Sequence, residues 1–401
     1  MLKIDKPAKI RPVSVTCLSA FRYLLLATTF SVGAASGQTS YAWRSEATNG
    51  NWSDSNNWWI GNTATPSGNE NLNFDNSAQL SMTNDLSSTS RYRINFYSGA
   101  SRTISGNTAN TFYDYSGSVP AIYNNTGNTQ TINFKVINGN SNGSNRFELN
   151  AYSGNLVFGG EASASGGNRT LVAMGNSDVI FNGVITQESG ATLSLVKEGV
   201  GSAVLHGANT YTGATDVKGG SLRIDTGGSL GATAVTVESG ATLEGTGTIG
   251  GVTTIQNGGH YSAGTVGSVG TQTFSDSLAL SSGSIFSWDV TSESSYDQVI
   301  AATASGGSST FDILTSDISS TFWDSDRTFA DVFSATDLSS LFSGISLNGS
   351  TLSSGLVDGQ GTFSFSGTGV QWTAYSAVPE MSNFLAGGLL GAGLLRRRRV
   401  R

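Results

Sequence analysis

Cysteine occurs once in the 401 residues, as Cys17, and proline five times. Cys17 precedes the apolar part of the N-terminal segment, so a chain trimmed behind that segment holds no thiol. Disulfides, thiol catalysis, thiolate metal sites and iron–sulfur clusters are thereby excluded from its body. Charge is scarce too, at 12% of residues, and histidine appears only as His206 and His260. What charge there is leans acidic: without residues 1–37 and 379–401 the chain keeps 11 Lys and Arg against 26 Asp and Glu, about −15. A phosphate backbone or an anionic lipid surface needs a basic face, so nucleic acid is excluded as a partner. Long apolar runs are missing as well. Residues 23–35 and 384–395 are each shorter than the roughly 20 residues of a stable membrane-spanning helix.

What the chain has in quantity is glycine, 52 residues, together with Ser, Thr and Asn. Val, Ile, Leu and aromatic residues recur among them at strand spacing, which reads as ordered all-β structure with many polar turns. Glu188-Ser-Gly-Ala-Thr-Leu193 recurs letter for letter as Glu238-Ser-Gly-Ala-Thr-Leu243. A unit of short strand, glycine turn and short strand fits residues 215–224 and again 234–243. Alternation of Leu222 with Ile224, and of Val235 with Val237, turns one side of each strand inward. Strands this short hold only by stacking, and a right-handed parallel β-helix with coils of about 20 residues is the expected solution. Terminal caps are expected at 38–150 and 304–377, flanking a solenoid at 151–303, with a short helical turn near 335–341.

Residues 195–222, with Leu195-x-Lys197-x-Gly199, Gly207-x-Asn209-x-Tyr211-x-Gly213 and Gly220-x-Leu222, resemble the autotransporter-associated β-strand repeat. That resemblance implies a β-helical segment of a surface or secreted bacterial protein, without chemistry of its own. The two chain ends point to export. Lys3, Lys6, Lys9, Arg11 and Arg22 precede the apolar residues 23–35 and the small residues Ala35-Ser36-Gly37, the layout of a secretory signal peptide over 1–37. Its partners would be the Sec machinery and signal peptidase.

At the other end, Val378-Pro379-Glu380 leads into a short hydrophobic helix at 384–395 and then Arg396, Arg397, Arg398 and Arg399. Such arginines hold a chain end on the cytoplasmic side. Counted from Met381 the segment has 15 residues, and at about 1.5 Å each it reaches about 22 Å, short of the ~30 Å hydrocarbon core. The tail resembles the PEP-CTERM sorting signal of Gram-negative bacteria, with Met381 where that pattern has a second proline. The resemblance implies transient inner-membrane association, cleavage by an exosortase near Pro379-Glu380, and delivery to the cell surface or extracellular matrix, with exopolysaccharide as a partner.

Catalytic chemistry finds little footing. Asp216, Asp225, Glu238 and Glu244 are spaced as solvated coil-surface charges, and His206 and His260 stand 54 residues apart without a partner motif. There is no nucleophile elbow, phosphate loop or zinc-protease motif, so neither a catalytic residue, a cofactor nor a metal is assigned. Asp324, Asp326 and Asp331 lack the spacing of a calcium loop. Trp43, Trp52, Trp58 and Trp59 fit either a hydrophobic cap for the open end of the solenoid or an aromatic platform for sugar rings. The expected function is an exported, non-catalytic structural or adhesive protein; the alternative is a carbohydrate-active β-helix enzyme or glycan-binding protein acting on exopolysaccharide.

Overall fold

The computed structural model describes residues 39–375, except 45–46, 48, 60–65, 67–69, 76–78, 87–89, 107–108, 115–117, 140–144 and 335. The expected signal helix, the sorting motif Val378-Pro379-Glu380, the hydrophobic helix at 384–395 and Arg396–Arg399 lie outside the described residues. Among the described residues the structure is a parallel β-solenoid of about ten coils, and its one α-helix is the single turn Leu338–Leu341.

Each coil visits three faces. In the coil that starts at Ala191–Lys197 on the first face, the chain turns into Ser202–Leu205 on the second and Ala208–Asn209 on the third. It then returns to the first face one layer on, as Thr215–Val217. Leu195 sits opposite Thr215 and Thr215 opposite Val235, two steps of 20 residues, as the repeat spacing led us to expect. Earlier coils are longer, with Arg93 opposite Ala121, a step of 28.

Coils of unequal length still stack because their inward side chains stay in register. On the first face Val217, Val237, Ile255 and Leu280 form one buried ladder. Leu222, Leu243, Tyr261, Phe286 and Phe311 form its counterpart on the second. Burying each such side chain contributes about 1.5–3 kcal/mol, and strands of two to five residues obtain it only from the layers above and below. Ring stacks reinforce the interior, including Phe74 on Phe96 at 5.3 Å and Phe112 on Phe147 at 4.4 Å.

Parallel pairing is not confined to 151–303. Asn71–Phe74, Arg93–Phe96 and Ala121–Asn124 belong to the same first-face sheet as the later coils. At the far end Phe342–Leu347 still pairs in parallel with Ser309–Leu314.

Closure at the N-terminal end comes from Ser40–Trp43 paired antiparallel with Trp58–Trp59, while the amide of Trp52 donates to Thr83 O on the second face at 3.0 Å. The C-terminal end is closed by an antiparallel sheet of Arg327–Phe329, Leu356–Val357, Gly361–Ser366 and Gly369–Ala374. There Trp372 Nε1 donates to Trp323 O at 2.7 Å. The helical turn Leu338–Leu341 is capped by Asp337, which accepts from the amide of Ser339, and it buries Leu338 and Leu341.

Candidate functional site

The landmark residues of the repeat coil are all taken up by the fold. Leu195, Leu222 and Ile224 face the interior. Asn209 is buried and joins three layers: its Oδ1 accepts from the amide of Ile185 at 2.8 Å, and its Nδ2 donates to Gly207 O and Ser229 O at 2.8 and 3.0 Å. Tyr211 is buried with its hydroxyl 2.7 Å from Thr215 Oγ1, and burial raises its pKa. Gly213 runs so close to the preceding coil that a Cβ there would meet Leu193 O at 2.4 Å.

Lys197 interrupts the apolar ladder of the first face between Ala173 and Val217. It is 1% exposed, and its Nζ donates to Glu198 O, Gly199 O and Gly219 O at 2.7, 2.9 and 3.0 Å. Burial pushes its pKa down to about 8, against the pull of Asp178 and Glu198. The amine thus satisfies carbonyls that the turn from first to second face leaves without partners. Other coils solve the same corner differently: Arg102 donates to Ser98 O and Ala100 O at 3.0 and 3.3 Å, and Asn124 to Asn128 O and Asn155 O at 2.8 and 2.9 Å. Sequence spacing conceals these corner caps because Lys197, Arg102 and Asn124 reach them from different strand positions.

The carboxylates singled out from the sequence divide among the faces. Asp216 lies on the first face and Glu244 on the second, Asp225 just follows a second-face strand, and Glu238 sits at the turn between faces. His206 is not isolated: its Nδ1 is 3.6 Å from Asp225 Oδ2, and Arg223 Nε is 3.0 Å from Asp225 Oδ1. Beside them Ser221 Oγ lies 2.9 Å from Ser202 Oγ and 3.0 Å from Glu244 Oε1. The cluster joins one ion pair, Arg223 with Asp225, to polar contacts across neighbouring coils. His260 opposes Thr242 and Ile285 on the same face, two layers beyond Ser221.

In the C-terminal region Asp326 accepts from the amide of Ala374 at 3.0 Å and Asp331 from Thr368 Oγ1 at 3.0 Å, so these side chains are turned to separate backbone and hydroxyl partners. Among the described residues no group of three or more His, Cys, Asp or Glu could hold a metal ion.

Three of the four N-terminal tryptophans cannot stack on a ligand. Trp43, Trp52 and Trp58 are 3%, 0% and 1% exposed, and they pack on one another and on Phe74. The four-tryptophan platform is therefore corrected to a hydrophobic cap with one outward ring, Trp59, over which the Arg44 guanidinium lies at 5.9 Å. An aromatic row does reach the surface elsewhere, as Tyr97, Tyr123 and Tyr152, with ring centroids 6.3 and 5.8 Å apart. Its members lie 26 and 29 residues apart because Tyr123 stands one place before Asn124 while Tyr97 and Tyr152 stand one place after its partners Phe96 and Ala151, which hides the row from any fixed-period reading.

Residues 195–224 match the family described as Passenger-associated-transport-repeat. A stretch of 117 residues, 29% of the chain, is 38% identical to the adhesin BmaC autotransporter of Brucella suis biovar 1 and covers 3% of that protein's length. The chain is thus similar to a small part of a much longer autotransporter adhesin, and one of its coils carries the passenger repeat.

Proposed function

We propose that the protein is an exported surface or extracellular-matrix component that acts as a structural and adhesive right-handed β-helix, without catalysis. The observation that carries this reading is the repeat coil itself, whose characteristic side chains serve stacking and corner capping and leave the outer faces as the surface available to partners. Similarity to a segment of an autotransporter adhesin supports the same reading. Export by the Sec machinery, signal peptidase cleavage near residues 34–37 and exosortase cleavage near Pro379-Glu380 complete the proposal, with Arg396–Arg399 holding the tail at the inner membrane until it is cut.

Mass spectrometry of the extracellular form tests the route: the expected product starts after residue 34–37 and ends near residue 379. A secreted species retaining Arg401 overturns the sorting step. A strain lacking the gene is expected to lose cell aggregation or surface attachment, and unchanged attachment and matrix cohesion overturn the adhesive role.

A further inference from the structure

Outer aromatic residues on a β-solenoid are spaced by the coil stacking, whatever their separation in sequence. Tyr123 lies in the first-face strand Ala121–Asn124, opposite in sense to the buried Ile122. Tyr97 and Tyr152 directly follow Phe96 and Ala151, both of which pair with Asn124. They therefore occupy equivalent places two coils apart, about 10 Å at the ~4.8 Å spacing of adjacent strands. Tyr152 is 48% exposed, while Tyr97 and Tyr123 are half-buried, each presenting part of a ring. Asn150 sits beside Tyr123 in register, with its Oδ1 closed off from solvent. Asn125, exposed between Tyr97 and Tyr152, accepts from Ser153 Oγ at 3.1 Å.

From this juxtaposition we infer that Tyr97, Tyr123 and Tyr152 form a binding strip for an uncharged polysaccharide. The C–H faces of pyranose rings stack on tyrosine rings. Two coils span a length on the order of one disaccharide, so the strip suits a polymer crossing successive layers and not a single sugar. The cations along the face are already engaged, which disfavours a polyanion. Arg93, two residues before the Asn95 that pairs with Tyr123, donates to Val119 O while lying over Tyr92, and Arg146 is bound to Glu148 and Glu198 at 3.3 and 3.2 Å. Burial raises the pKa of Tyr97, with Arg93 pulling it down and Asp75 adding to the rise.

The inference rests on the adhesive reading and gives it a ligand class. Affinity electrophoresis of the secreted chain through gels containing hydroxyethylcellulose, glucomannan, dextran or alginate tests it. Retardation by at least one of the three uncharged polymers and not by alginate is expected, with binding at least tenfold weaker in Tyr152→Ala and Tyr123→Ala. Tyr152→Phe is expected to retain binding and Trp59→Ala to leave it unchanged. Circular dichroism establishes that each variant is folded; if Tyr123→Ala is not, the exposed Tyr152 carries the test. Failure of all three uncharged polymers to retard the wild-type chain overturns the inference, as does retardation by alginate alone or wild-type binding by Tyr152→Ala. Cell attachment measured with the same variant separates the two claims: attachment that survives loss of polymer binding leaves the adhesive reading standing on another surface.

Discussion

Lys197→Met keeps the length and apolar stem of the side chain and removes the ammonium that closes three carbonyls. Hydrogen bonds from a charged donor contribute about 1.5–3 kcal/mol each, so losing those to Glu198 O, Gly199 O and Gly219 O costs about 4–9 kcal/mol. Against this stands the cost of burying the charge. The fall of the lysine pKa from 10.5 to about 8 corresponds to about 3 kcal/mol, which methionine does not incur. The net expectation is a loss of about 3 kcal/mol, because water reaches the opened corner and recovers part of the rest.

Stability in a solenoid is a sum of coil and neighbour terms, so the loss is expected to appear as faster amide exchange across residues 195–224 and the adjoining layers. The pH dependence supplies a second reading. The folded pKa of Lys197 lies below its unfolded value, so between about pH 8 and 10.5 the unfolded chain holds the extra proton and the folded chain gains stability as pH rises. Urea unfolding from pH 7.5 to 10.5 is therefore expected to show the wild type drawing further ahead of the methionine variant. A variant as stable as the wild type at pH 7.5, or a gap that narrows toward alkaline pH, refutes the reasoning.

Trp52→Ala removes a fully buried cap residue packed on Trp58, Phe74 and Phe134, with an expected cost of about 3–5 kcal/mol in thermal unfolding. Trp59→Ala, at 65% exposure, is expected to stay within about 1 kcal/mol of the wild type. Gly245→Ala places a Cβ 2.0 Å from Ile224 O at a φ of +125° and is expected to lower the unfolding midpoint far more than Gly227→Ala. The latter meets nothing within 4 Å at φ +85° and costs about 1–2 kcal/mol for the left-handed backbone alone. Burial raises the Asp297 carboxyl to about 8, opposed by the amides of Asp289 and Gly270 and reinforced by the charge of Asp289. This contribution to stability is expected to be present at low pH and to fade as pH rises from about 4 to 8. A carboxyl carbon resonance of Asp297 titrating below pH 5 contradicts it.

The recurring hexapeptide separates what is local from what is not. Both copies make the same turn: Gly190 and Gly240 adopt φ of +80° and +78°, and the amides of Ala191 and Ala241 donate back to Glu188 O and Glu238 O at 3.0 and 3.1 Å. Yet Ala191 starts a first-face strand beside Gly167, whereas Ala241 starts a second-face strand beside Gly220. Glycine, alternation and a short apolar strand are properties of neighbouring residues, so all-β structure, turns, inward Leu222, Ile224, Val235 and Val237, and the 20-residue coil could be read from letters alone. Which face a strand joins depends on the length of chain already wound beneath it.

The same physics divides the surface from the interior. Trp43, Trp52 and Trp58 carry rings that can serve either water or core, and packing against Phe74 places them in the core. His206 and Asp225 meet only because a 20-residue coil returns the chain beside itself. Tyr97, Tyr123 and Tyr152 form one row because coils of 28 and 27 residues bring Phe96, Asn124 and Ala151 into register, a condition set by stacking and invisible to sequence period.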